Sequence, residues 1–183
     1  MATKRIVNLP NVSGWIGTAG GAFAAHTITI DVPPGPRYHE IWIEARGGAA
    51  KKLITDLLGE IRVKINGKVQ RAHTATELNN LNVLNGPQYA CFNGLTNDTL
   101  SALCIYFAEP WRENEDVQDG LAWATGDVST FQIEIDITAY AGAAAGLTKP
   151  VARAVIDNSL VSGTNGGQVD AGLGAIVKVR NVQ

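Results

Sequence analysis

Hydrophobic and polar residues alternate strictly in several short stretches of this chain. Residues 27–32, Thr-Ile-Thr-Ile-Asp-Val, set Ile28, Ile30 and Val32 on one side and polar groups on the other. Successive strand residues point to opposite faces, so this pattern predicts a half-buried, β-branched strand. Pro33-Pro34-Gly35-Pro36 ends it, because proline cannot donate to a β-ladder. Alternation resumes over residues 38–45, with Ile41 and Ile43 on one face and Trp42 on the other, until Gly47-Gly48. Residues 60–71 carry two alternating runs around Asn66-Gly67. That is a hairpin signature, since a two-residue turn needs the positive φ that Asn and Gly tolerate best. Residues 130–137 place Phe131, Ile133, Ile135 and Ile137 on one buried face. Residues 103–107 are continuously apolar and read as a fully buried strand, ended by Glu109-Pro110.

The helical signal is small. Residues 54–58 read as a single helical turn. Thr74 and Glu77 have the spacing of a capping box, and Leu78, Leu81 and Leu84 follow on one helical face. A short helix over 75–81 is expected, limited by the low helix propensity of three nearby asparagines. Residues 9–25 are a Gly/Ala-rich lead-in, 139–146 read as a linker, Lys149-Pro150 opens a tail, 162–167 form a flexible loop and 175–180 a last short strand. No internal repeat is evident. Many strands, long polar connections and one helix predict an all-β jelly-roll sandwich of two facing four-stranded antiparallel sheets. The expected division is an N-terminal arm over 1–26, the jelly roll over 27–140, and a linker followed by a C-terminal arm or the start of a second jelly roll over 141–183.

Composition narrows the function. Of 183 residues 45% are hydrophobic and only 17% charged, which suits a surface partly covered by other subunits. The net charge of -2 with no basic block argues against bulk nucleic-acid binding. No apolar run reaches the roughly 20 residues that span a bilayer, and residues 1–5 lack the apolar core of a signal peptide, so synthesis in a host cytoplasm is expected. Cys91 and Cys104 lie outside any metal-binding spacing and read as small core thiols.

Candidate chemistry is sparse. His26, His39 and His73 have no HxxH or HExxH spacing and read as partly exposed strand-end or loop residues. Ser162 sits in no nucleophile elbow, and no Walker A or GxGxxG leads from a strand into a helix. Glu113, Glu115, Asp116 and Asp119 form an acidic cluster that could collect calcium, but it lacks the EF-hand pattern and a solvated loop fits it better. Trp15, Trp42, Trp111 and Trp123 could make a sugar platform, although core or interface packing suits them better. No enzyme activity, cofactor or small-molecule substrate is expected.

The order of motifs resembles one family. LPNV, TITIDVPPG, YHEIWIEARG, ITDLLGEIRVKINGKVQR and TELNNLN are similar to the N-terminal jelly roll of the major capsid protein of corticoviruses, tailless icosahedral phages with an internal membrane. The matching residues are Ile61, Arg62, Val63, Ile65, Asn66, Gly67 and Lys68, then Thr76, Leu78 and Asn79; IYFAEPW and FQIEIDI follow in the family's order. The resemblance covers roughly residues 5–145. It implies a virion coat protein, self-assembling into trimeric or hexameric capsomers with other capsid proteins, with the N-terminal stretch and Lys4 and Arg5 turned toward the membrane or genome. Trp111, Arg112 and Tyr140 are then candidate interface residues. A receptor-binding or lectin-like sandwich is the alternative.

Overall fold

The computed structural model describes residues 4–17, 22–46, 53–93, 100–114, 118–140, 149–157, 160–162 and 168–170. The first strands are β1 (Arg5–Asn8), β2 (His26–Val32) and β3 (Arg37–Arg46). One helical turn, α1 (Ile54–Leu57), leads into β4 (Leu58–Ile65) and β5 (Lys68–Thr74). Helix α2 (Ala75–Leu84) follows, then β6 (Leu100–Tyr106), the short β7 (Trp123–Ala124), β8 (Phe131–Ile137) and β9 (Val151–Asp157). Beyond it, β10 (Leu160–Ser162) and β11 (Gln168–Asp170) form a separate two-stranded pair.

The strands make two antiparallel sheets in the orders β1-β9-β3-β6 and β2-β8-β4-β5, with β7 added to β3. The short first strand, β1, lies beside β9, and the chain crosses repeatedly between sheets. This is jelly-roll topology, as expected. The sheets meet through their alternating apolar faces: Ile28, Ile30, Ile41, Ile43, Leu103, Ile105, Ile133 and Ile135 are all buried. Trp123 packs on Phe107 with ring centroids 4.5 Å apart and on Phe131 at 6.1 Å.

The roll extends past the 27–140 expected from sequence. Arg5–Asn8, from the stretch read as an arm, pairs with β9, and β9 itself follows the stretch read as a linker. Leu9, Val12 and Phe23 also enter the core, held by backbone bridges between Ser13 and Thr29 and between Phe23 and Tyr140. The physical reason is closure: without β9, β3 and β1 would both expose an unpaired edge.

The hairpin turn is as expected, with Asn66 at φ 49° and Gly67 at φ 76°. Asn66 does more than turn the chain. Its Oδ1 accepts from the backbone N–H groups of Ser129 and Thr130 at 2.9 and 3.0 Å. The capping box also forms: Glu77 N–H donates to Thr74 Oγ1 at 3.2 Å and Thr74 N–H to Glu77 Oε2 at 2.9 Å. Helix α2 runs to Leu84 rather than ending at 81. Its asparagines serve tertiary bonds that outweigh their propensity: buried Asn82 donates to the Cys104 carbonyl at 2.9 Å, and Asn79 accepts from Cys91 N–H at 2.7 Å. Leu84, expected on the apolar face, is 82% exposed.

Candidate functional site

Three surfaces carry the chemistry of the molecule: a buried polar cluster at one end of the roll and the outer faces of its two sheets.

The cluster forms because β3 bulges. Its pairing with β9 shifts between Tyr38 and Glu40, which leaves His39 as an extra residue. The His39 carbonyl accepts from both Phe107 and Ala108 N–H, at 2.9 and 3.0 Å. Its side chain turns inward and is 1% exposed, contrary to the expectation of a partly exposed strand end. His39 Nε2 donates to Asp157 Oδ2 at 2.8 Å, and Nδ1 lies 3.1 Å from Asp119 Oδ1. The second approach is off the axis along which the ring would donate, so it is a contact of charge rather than a hydrogen bond. Arg37 holds Asp157 with two nitrogens, Nη2 at 2.6 Å and Nε at 3.0 Å, and Lys4 Nζ reaches Asp119 at 2.7 Å. Burial would raise the Asp157 carboxyl, but the hydrogen bonds from Arg37 and His39 outweigh it and hold it below its ordinary value.

One ligand atom from each of His39, Asp119 and Asp157 lies within 4.8 Å of the others, the spacing of a cation site. The geometry argues against it. Asp157 is already engaged by two nitrogens of Arg37 and by His39 Nε2, which takes up the oxygens a metal would need. Arg37 and Lys4 already neutralise both acids.

On the outer face of β2-β8-β4 the charges form a lattice. Arg62 reaches Asp136 through both terminal nitrogens at 2.7 Å, Glu60 at 2.9 Å and Glu134 at 3.4 Å. Lys64 meets Glu134 at 2.7 Å, and Thr27 donates to Asp136 at 2.8 Å. Lys64 first, then Arg62, holds Glu134 below its ordinary value, and Arg62 does the same for Asp136.

The outer face of β1-β9-β3 is different. Ala152, Ala154 and Ile156 point into the core, so Val151, Arg153 and Val155 point out. Ile6 pairs with Val155, and Trp42 with Arg153. Ile6 is 73% exposed and Val151 47%. Arg153 meets the nearly buried Glu44 at 3.3 Å, and Trp42 Nε1 donates to Glu40 at 2.9 Å. Toward β6 the face is roofed by aromatics: Tyr89 and Trp111 pack edgewise on Tyr106 at 5.6 and 5.7 Å.

The sequence-predicted residues fall as follows. Trp111 is half-buried in that aromatic group, and exposed Arg112 pairs with Glu109 at 3.1 Å. Tyr140 stacks on Phe23 at 5.8 Å against the core. Of the acidic cluster, Glu113 is exposed, Asp119 belongs to the His39 group, and Glu115 and Asp116 lie outside the described residues. Trp123 is core, which removes it from any sugar platform. Cys104 is a buried free thiol and Cys91 a half-buried one. His26 packs against Trp15 and Phe23, and burial first, then Arg71, lowers the His73 pKa. The tail strand expected over 175–180 lies outside the described residues, as do 163–167 of the predicted loop. Sequence reasoning missed Arg37 and Asp157, which meet only through the bulge and the β3–β9 pairing, and gave Lys4 an inward-facing role with no sign of its pairing with Asp119.

Comparison with known proteins agrees with this architecture. The major capsid protein P2 from bacteriophage PM2 superposes with a TM-score of 0.58 at 19% identity, over 84% of this chain and 50% of that one. The chain therefore matches about half the length of that protein, and the likeness shows the fold. No curated protein matches by sequence. A family model described as viral coat protein P2 N-terminal domain matches residues 18–154. The chain belongs to this family of viral coat-protein domains.

Proposed function

We propose that this jelly roll is a shell-building subunit that packs on copies of itself through the outer face of β1-β9-β3. A coat-protein domain has a structural role in the capsid of a virion. The observation that supports this face is its exposed aliphatic residues, Ile6 beside Val155 and, beyond Arg153 on the same strand, Val151, opposite a sheet whose outer charges are paired within the chain. Apolar area on such a face gains about 25 cal/mol per Å² when a partner covers it. The capsomers would be trimers or hexamers in an icosahedral shell around an internal membrane. Contact of the N-terminal region with that membrane, and partnership with other capsid proteins, rest on the family resemblance. Light scattering of the purified chain tests the reading. Wild type is expected to give a defined oligomer or shell, and Ile6→Lys to give a folded monomer. An Ile6→Lys chain that assembles like wild type overturns this face. A wild-type monomer at every concentration overturns self-assembly and favours the receptor-binding alternative, which Trp111→Ala tested on a glycan panel would then examine.

A further inference from the structure

The polar cluster around His39 has no part in shell packing as derived above, yet it is among the most deeply buried groups of charge in the molecule. Three separate stretches of chain converge on one imidazole. Asp157 ends β9, the strand from which the chain leaves the roll. Asp119 lies in the turn of residues 118–122 that precedes β7. Lys4 stands immediately before β1 and reaches Asp119. Arg37, on β3, is the remaining charge facing the ring's partners.

A neutral imidazole carries one N–H and one lone pair. With Nε2 donating to Asp157, a neutral ring would leave its electron-rich Nδ1 3.1 Å from the Asp119 carboxylate, with no hydrogen bond to offset the repulsion. A ring protonated on both nitrogens attracts both carboxylates. The Asp157 side is fixed regardless, because Arg37 binds that carboxylate with two nitrogens and the site is closed to water. The Asp119 side is the weaker one: its carboxylate is about a quarter exposed and its other holder, Lys4, sits at the surface. Histidine is the side chain that ordinarily titrates between pH 5 and 8.

We propose that His39 is a proton-operated latch: doubly protonated, it fastens the 118–122 turn to the last strand of the roll, and loss of one proton releases the turn while β9 stays held by Arg37. The released segment would include the Asp119 to Ala122 turn and the β7 pairing of Tyr38 with Trp123.

Hydrogen exchange followed by mass spectrometry on the full chain tests this, with rates corrected for intrinsic pH dependence. In wild type, protection of the peptide covering residues 118–124 is expected to fall about fivefold between pH 5.5 and 8, the size of one partly exposed ion pair. Protection of the 60–74 hairpin should stay level. Asp119→Asn removes the weaker partner without disturbing the core, and its 118–124 protection should be low and flat across the same range. Level protection in wild type overturns the latch. An unchanged pH response in Asp119→Asn also overturns it, by showing that another group carries the effect.

Discussion

Arg62 holds three carboxylates on the outer face of one sheet, while Ile6 and Val151 stand exposed on the outer face of the other. The inner faces of the same two sheets are both continuously apolar, one rich in Ile, Val and Phe and the other mixing Ile and Leu with alanines of β9. The difference most relevant to partners lies in the outward half of each alternating pattern. One half has been spent mostly on ion pairs within the chain. The other leaves aliphatic side chains in water, which a folded chain tolerates singly but which gains free energy once covered. A strand thus encodes two decisions in one run of residues: its odd positions settle the core and its even positions settle what may lie against it.

The sharpest way to break the comparison is to attack what the two sheets share. Trp123→Ala empties the aromatic contact with Phe107 and Phe131, and is expected to cost about 3–5 kcal/mol. Denaturant unfolding should show a single transition; two transitions would mean that the sheets do not share one core. Gly67→Val forces a β-branched residue into positive φ at the hairpin of the lattice sheet, costing more than about 1 kcal/mol. An unchanged melting temperature would remove the turn from the account. Arg62→Ala should cost about 1 kcal/mol in dilute buffer and much less in molar salt, because exposed pairs are screened there. Its acid behaviour sharpens the point. Glu134 and Asp136 have lowered folded values, so their contribution is present above the ordinary carboxylate range and is lost as pH falls through those lower values. Below about pH 4, stability should therefore drop more steeply in wild type than in Arg62→Ala. The smallest effect belongs to Ile6→Lys, within about 0.5 kcal/mol, since the residue is already in water. Stability measured beside the light-scattering result separates a surface that folds the chain from one that joins chains.

What could be read in advance was local. The Asn66-Gly67 turn, the Thr74–Glu77 box and the strands around Ile28, Ile43, Ile61 and Ile133 follow from periods and turn chemistry within a dozen residues. The strand β9 escaped because its core face is Ala152, Ala154 and Ile156, and alanine gives little hydrophobic contrast after a Gly/Ala stretch. β1 is four residues long and becomes a strand only by pairing with β9. His39 escaped for another reason. Strict alternation sets neighbours on opposite faces, and a bulge suspends that rule at a position the sequence does not mark. Asp157 and Arg37, on different strands, meet only in the folded sheet.

The pairing of Arg5 with Ile156 and of Asn8 with Arg153 has a consequence for synthesis. The first strand to leave the ribosome has its partner in the last strand of the roll, so it must wait for nearly the whole domain to emerge. Contacts of such long sequence separation form late. The strip of Ile6, Val155 and Val151 is assembled from both of these strands, and does not exist on a nascent chain. An unfinished polypeptide therefore offers its neighbours on a crowded polysome no completed copy of the proposed joining face, which comes into being together with the finished roll.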